Sequence, residues 1–156
     1  MSSTSTIDQV DVRGPRFVAW ITTVVLVTTL VVCGVSAPAA AIILGLQAVI
    51  FAIGATAGPR RHPYALIFAN LVAPRLGPVR EREPVPPLKF AQLVGLVFAV
   101  IGAAGFASGT PLVGLIATAA ALVAAFLNAA FGICLGCQLY PLVVHLKPTS
   151  RTSEPA

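Results

Sequence analysis

Charge is scarce in this sequence. Ten of its 156 residues are Lys or Arg and five are Asp or Glu, so 10% are charged, against about 25% in a soluble domain. A chain so poor in charge cannot cover a globular surface with it, and a water-soluble fold is excluded. Acids are the scarcest class: Asp8, Asp11, Glu81, Glu83 and Glu154 all lie in tails or in one central loop. Hydrolysis by paired carboxylates therefore has no residues to use. No glycine-rich phosphate loop and no Ser-His-Asp set is present, and no internal repeat marks a solenoid.

What the sequence has in place of charge is apolar length. Hydrophobic residues make up 57% of the chain, and the mean hydropathy is +0.93. A helix needs about 20 apolar residues to cross a hydrocarbon core of about 30 Å, and four segments meet that length. They run from about Phe17 to Val35, Ala39 to Ala57, Leu88 to Ala107 and Leu112 to Phe131. The first two are separated by Ser36-Ala37-Pro38 and the last two by "SGTP", whose Gly and Pro mark a turn. The expected fold is an all-α membrane protein of four transmembrane helices in two hairpins. The runs lack the alternating polarity of barrel strands. The first span, about 19 residues, exceeds the signal-peptide core of about 7–15, so "SAPAA" reads as a turn and not a cleavage site.

The cations set an orientation. Arg13, Arg16, Arg60, Arg61, Arg75, Arg80, Arg82, Lys89, Lys147 and Arg151 occupy the N-terminal tail, the central loop up to the start of the third span, and the C-terminal tail. The short turns carry none. The positive-inside rule then places both termini and the central loop in the cytoplasm of a multi-pass protein of the plasma (inner) membrane. The expected organisation is a cytoplasmic tail over 1–15, a membrane domain over 16–146 and a disordered tail over 147–156. Basic residues so placed suit anionic lipid headgroups, and no nucleic-acid partner is expected.

The central loop opens with "PYALIFANLVAP", where Tyr64, Ile67, Phe68, Leu71 and Val72 recur at helical spacing. About ten residues cannot span. Flanked by Arg60, Arg61 and Arg75, the segment over about 63–73 is expected to lie in the membrane interface, its apolar face with Tyr64 and Phe68 toward lipid or toward the bundle. The proline-rich "RLGPVREREPVPP" that follows reads as an extended, solvated connection.

Chemistry is concentrated in "FGICLGCQLY", where Cys134 and Cys137 stand three apart just beyond the fourth span. In a reducing cytosol such a pair points to redox exchange or metal binding more than to a structural disulfide. If the fourth helix ends near Gly132, the cysteines open a new turn whose N-terminal dipole favours a thiolate; if the helix continues, its C-terminal end disfavours one. Gly132, Gly136 and Pro141 favour the break. The competing use is a tetrahedral metal site, with His145 and His62 joining Cys134 and Cys137. Cys33 falls roughly 24 Å into the first span and reads as a small packing residue.

The interiors of the spans hold no ionisable side chain, which argues against a proton-coupled transporter. Gln47, Gln92 and Asn128 read as interhelical hydrogen-bond partners. Gly95, Ala99 and Ala103, and then Ala117, Ala121, Ala125 and Ala129, form small-residue ridges that let helices approach closely.

Taken together, "VDVRGPRF", "RRHPYALIF…PRLGPVREREPVPPLKFAQLVG" and "CLGCQLY" resemble the domain of unknown function 4395, a bacterial family of small four-helix membrane proteins widespread in actinobacteria. The resemblance covers about residues 8 to 145 and includes Arg13, Arg16, His62, Tyr64, Gln92, Cys134, Gly136 and Cys137. No cofactor is expected. Because members are often encoded near thioredoxin-like or sulfurtransferase proteins, the resemblance implies thiol or sulfur chemistry with such a partner, for which Cys134 and Cys137 are the candidate catalytic pair. The alternatives are a non-enzymatic scaffold or small transporter subunit and a metal-binding protein.

Overall fold

In the computed structural model, which describes residues 7–146, the chain runs in the order β1 (Gln9–Asp11), α1 (Arg13–Cys33), α2 (Ala37–Ala57), α3 (Pro63–Ile67), β2 (Arg82–Pro84), α4 (Val85–Ala107), α5 (Pro111–Phe131) and α6 (Leu135–Leu146). The expected tail over 147–156 lies outside the described residues. Four helices, α1, α2, α4 and α5, are long and apolar enough to cross a membrane. Local chemistry sets their ends. The Ser36 hydroxyl accepts the Ala39 N–H at 3.3 Å to cap α2, and prolines stand in the first turns of α2, α4 and α5, where a missing N–H costs nothing.

The four long helices form a ring. The most extensive contacts are α2 on α4 and α1 on α5; α1 on α2 and α4 on α5 complete it. Small residues make the contacts close. A Cβ on Gly105 of α4 would come within 2.6 Å of the Gly114 backbone nitrogen on α5, and one on Gly95 within 2.8 Å of the Phe51 ring on α2. Ala99, Ala117, Ala121 and Ala129 of the expected ridges are buried, and large aliphatic side chains such as Val24, Val31, Ile42, Leu46, Ile116 and Val123 are exposed on the outside. Lipid is the environment in which small-inside, large-outside is stable. Cys33 packs against the core, as expected, its thiol directed at the Leu30 carbonyl.

The return segment of the central loop is not free. β2 pairs antiparallel with β1, Val10 opposite Glu83, and the ribbon is extended by Val12 N–H to Glu81 O and Val85 N–H to Asp8 O. Arg13 donates to Asp11 and to the Gly77 carbonyl, and its guanidinium holds the Asp11 carboxyl below the usual carboxylate range. Arg60 pairs with Asp8 at 2.6 Å. The expected solvated linker is thus one strand of a clasp on the N-terminal segment, because backbone groups of an extended chain beside another find partners there.

The helical segment after Pro63 runs from α3 through a π-turn, Phe68–Val72, to a short turn at Ala73–Arg75. Its apolar residues divide. Phe68 is buried beside Phe17, ring centroids 5.6 Å apart, and the half-buried Tyr64 donates its hydroxyl to Gln47 Oε1 at 2.8 Å, whereas Leu66, Ile67 and Leu71 are exposed. Arg60, Arg61 and Arg75 are exposed too. His62 is 1% exposed, its ring against Gly54, where a Cβ would lie 2.7 Å from His62 Cδ2 and 2.9 Å from Gln92 Oε1. Neither ring nitrogen has a partner, nor has Gln92 Oε1. Burial pushes His62 down to about 4, the adjacent Gln92 opposing only in part. Of the expected interhelical partners, Gln47 is engaged through Oε1 and the Gln92 carbonyl oxygen is not.

At the other end of the chain α6 lies on α4. A Cβ on Gly136 would come within 2.6 Å of Ala91 Cα, and Tyr140 sits over Phe90 with centroids 6.0 Å apart.

Two outcomes are expected. Gly136→Ala forces α6 away from α4 at a cost of about 1–3 kcal/mol, read as a lower thermal midpoint in detergent and earlier proteolysis within 135–146; Gly45→Ala, which meets open space, should cost nothing. Equal behaviour of the two would refute the close contact. Because His62 titrates lower when folded than in the unfolded chain, at about 6.5, the unfolded state binds more protons below that pH. Its contribution to stability is intact above about 6.5 and lost progressively as pH falls toward about 4. His62→Gln should flatten that part of the stability profile.

Candidate functional site

The α5–α6 junction is built by a glycine and an arginine. Gly132 adopts φ +70°, a left-handed conformation that favours glycine, and ends α5 with its N–H on the Asn128 carbonyl at 3.0 Å. Arg16 of α1 reaches across to the exposed carbonyls of Ala129 and Ala130 at 3.3 and 3.4 Å, satisfying acceptors that a helix end leaves open. The chain then turns through Ile133 and restarts at Leu135. Of the two arrangements open to the sequence, a break and a continued helix, the break is found.

Cys134 is the residue that precedes α6. Its carbonyl accepts the Gln138 N–H at 3.1 Å, and its Sγ accepts the Cys137 N–H at 3.3 Å, so a sulfur occupies the position where a Ser or Asp oxygen commonly caps a helix. Both thiols are free and half-buried. The hydrogen bond from the Cys137 side chain draws the Cys134 thiol below the ordinary cysteine value; burial opposes this, and the N–H groups of Cys137 and Gly136 add to it. Cys137 moves the other way, pushed up first by Cys134 beside it and then by burial. The pair therefore contains one thiol disposed to ionise and a second held protonated beside it.

Glu83 was not singled out by the sequence. It is the inward-facing residue of β2, and its charge bears on both thiols, raising each. Burial raises its own carboxyl, with Arg16 opposing. The signal was the run Arg82-Glu83-Pro84, which in a strand sends Glu83 to the face opposite its two neighbours.

The alternative metal set is not assembled. Among the described residues no three His, Cys, Asp or Glu side chains come together as a metal-binding group. His62 is enclosed near Gly54 and Gln92, and His145 is exposed near the far end of α6, roughly 12 Å along the axis from Cys137. The residues expected at a membrane interface, Arg60, Arg61, Tyr64, Phe68 and Arg75, belong to the 59–75 region and not to the thiol pair.

Two cavities adjoin these groups. One, of about 390 Å³, lies beneath the β1–β2 ribbon and is lined by Asp11, Arg60, His62, Phe68 and Gln92 among others. The second, of about 380 Å³, lies within the bundle and has Cys134 in its wall. Gln92 borders both.

Comparison with known proteins places the sequence in a family without placing it in a reaction. No curated protein and no solved structure matches it. Residues 10–145 match the family described as "Domain of unknown function (DUF4395)", a stretch that runs from the β1–β2 ribbon through all four long helices to His145 near the end of α6. The chain therefore belongs to the DUF4395 family.

Proposed function

We propose that this protein is a membrane-embedded thiol protein whose Cys134 and Cys137 exchange disulfide or sulfur with a thioredoxin-like protein or a sulfurtransferase at the cytoplasmic face of the plasma membrane. One observation carries the reading. Cys134 stands at the start of α6 with the Cys137 N–H on its sulfur, and three residues on a second thiol is positioned to follow it. In exchange, the Cys134 thiolate attacks a partner disulfide, a mixed disulfide forms and the partner's other sulfur leaves as thiolate. Cys137 then attacks the Cys134 sulfur, closing the Cys134–Cys137 disulfide and releasing the partner reduced.

Orientation supports the cytoplasmic assignment, since the cations cluster in the tails and central loop. The exposed Leu66, Ile67 and Leu71, set between Arg61 and Arg75, support an interfacial anchor at about 63–73, with Phe68 as its inward side. A second reading, a non-enzymatic scaffold, is favoured by Gly136: its fit against Ala91 gives "CLGC" a packing role that needs no thiol chemistry.

Cys137→Ser should accumulate a covalent adduct with a thioredoxin-like protein and Cys134→Ser should not. Absence of adduct from both, with a native pair that shows no reversible oxidation, leaves the scaffold reading. Glu83→Gln removes a charge that disfavours the thiolate, so alkylation of Cys134 should show a lower pH midpoint and a faster rate at neutral pH; an unchanged profile would separate Glu83 from the site. Reporter fusions after Val35, Ala73, Gly109 and Lys147 should read outside, inside, outside and inside. A C-terminal reporter active only outside would reverse the orientation and remove the cytosolic argument for the pair.

A further inference from the structure

α6 is too short to cross a membrane, yet it carries no charge with which to face water. Its twelve residues, Leu135–Leu146, reach about 18 Å, against a hydrocarbon core of about 30 Å. From Phe90 to Leu146 the sequence contains no Asp, Glu, Lys or Arg, and the next residue is Lys147. A helix of that length, starting where α5 ends and finishing beside a cation, stays at one face of the bilayer.

Three sides can be told apart around its axis. Gly136 and Tyr140 form the side packed on α4, against Ala91 and Phe90. Leu135, Leu139, Leu142 and Leu146 recur at steps of four, three and four, which makes one row along a helix, and all four are exposed. Cys134, Gln138, Pro141 and His145 repeat those steps one residue earlier, so their row lies about 100° round from the leucines. Gln138, Pro141 and His145 are exposed as well, and the Gln138 N–H on the Cys134 carbonyl ties Cys134 to the head of that row. The cavity within the bundle shows which way the leucines look. Leu135 and Leu139 border it, and its other walls run down α4 from Leu88 to Phe98 and reach Ala121, midway along α5. The leucine row is thus turned toward the depth of the apolar spans.

We propose that α6 is a membrane-surface helix whose leucine row inserts among lipid acyl chains, leaving the row headed by Cys134 toward the headgroup layer. Acyl chains are the occupant because a water-borne protein would have to reach the row from within the hydrocarbon. That seating does not depend on what the thiols do. Combined with the thiol reading above, it places the exchange at the bilayer surface, where the partner has to come to meet the pair.

The test uses the full chain in nanodiscs with Cys33, Cys134 and Cys137 replaced by serine, which keeps an oxygen cap at 134. Single nitroxides are attached through Leu139→Cys, Leu142→Cys, Gln138→Cys or His145→Cys, and collision with oxygen and with a water-soluble nickel chelate gives the depth of each. The two leucine-row labels should lie about 5–10 Å below the headgroup boundary, and the Gln138 and His145 labels at or above it. Equal depths for the two rows would overturn the proposal. Leucine-row labels shielded from both quenchers would overturn it too, dipolar broadening between labels then marking a second copy of the chain as the cover. In the protein with native cysteines, Leu142→Asp should bring earlier proteolysis within 135–146 and His145→Asp should not; equal proteolysis of the two would count against lipid on the leucine row. A depth difference without a trapped partner in Cys137→Ser supports the seating and removes the exchange alone, whereas equal depths with a trapped partner do the reverse.

Discussion

Lipid tails are as apolar as leucine, so helices in a bilayer gain nothing from hiding leucine against leucine, and their association rests on how closely backbones can approach. The rest of this structure depends on that constraint. Gly105 lies against Gly114, Gly102 against Leu44 and Gly95 against Phe51 at separations that a single methyl group would violate. The same economy of side-chain volume explains the inner cavity. Ala120, Ala121, Ala124 and Ala125 form one side of that space, opposite larger residues such as Phe98 and Leu139.

The thiol pair is assembled from remote parts of the chain. Arg16 at the head of α1 holds the end of α5, Glu83 from the central loop supplies the nearby charge, and Gly136 seats the start of α6 on α4. The ribbon between β1 and β2 positions the first two, because it fixes residues just before Arg16 against residues flanking Glu83. An electrostatic setting for Cys134 is thus produced by elements that the local "CLGC" stretch does not contain.

The four long helices were legible to within a few residues, since hydropathy over twenty residues reports on lipid and is insensitive to tertiary detail. The break at Gly132 was legible from glycine and proline. The clasp was not: three-residue strands give no period, and a proline-rich charged run looks solvated when its partner is some seventy residues away. His62 was read as a candidate ligand because a loop histidine is ordinarily wet, and nothing in its neighbours announced the glycine on α2 that makes room for its ring. The small-residue ridges were half visible. Ala99 and the α5 alanines were found, but Gly102, against Leu44 of α2, and Gly105, against Gly114 of α5, stand one residue before and two residues after Ala103 and so off the expected four-residue row.

The clasp also fixes an order of events during synthesis. β1 cannot meet β2 until residue 84 has been made, and α1 and α2 both precede that point in the chain. The leading residues are therefore paired only after the first two long helices have been synthesised, as a latch that closes on a half-built protein. A chain truncated before the central loop would insert its first hairpin with that latch open.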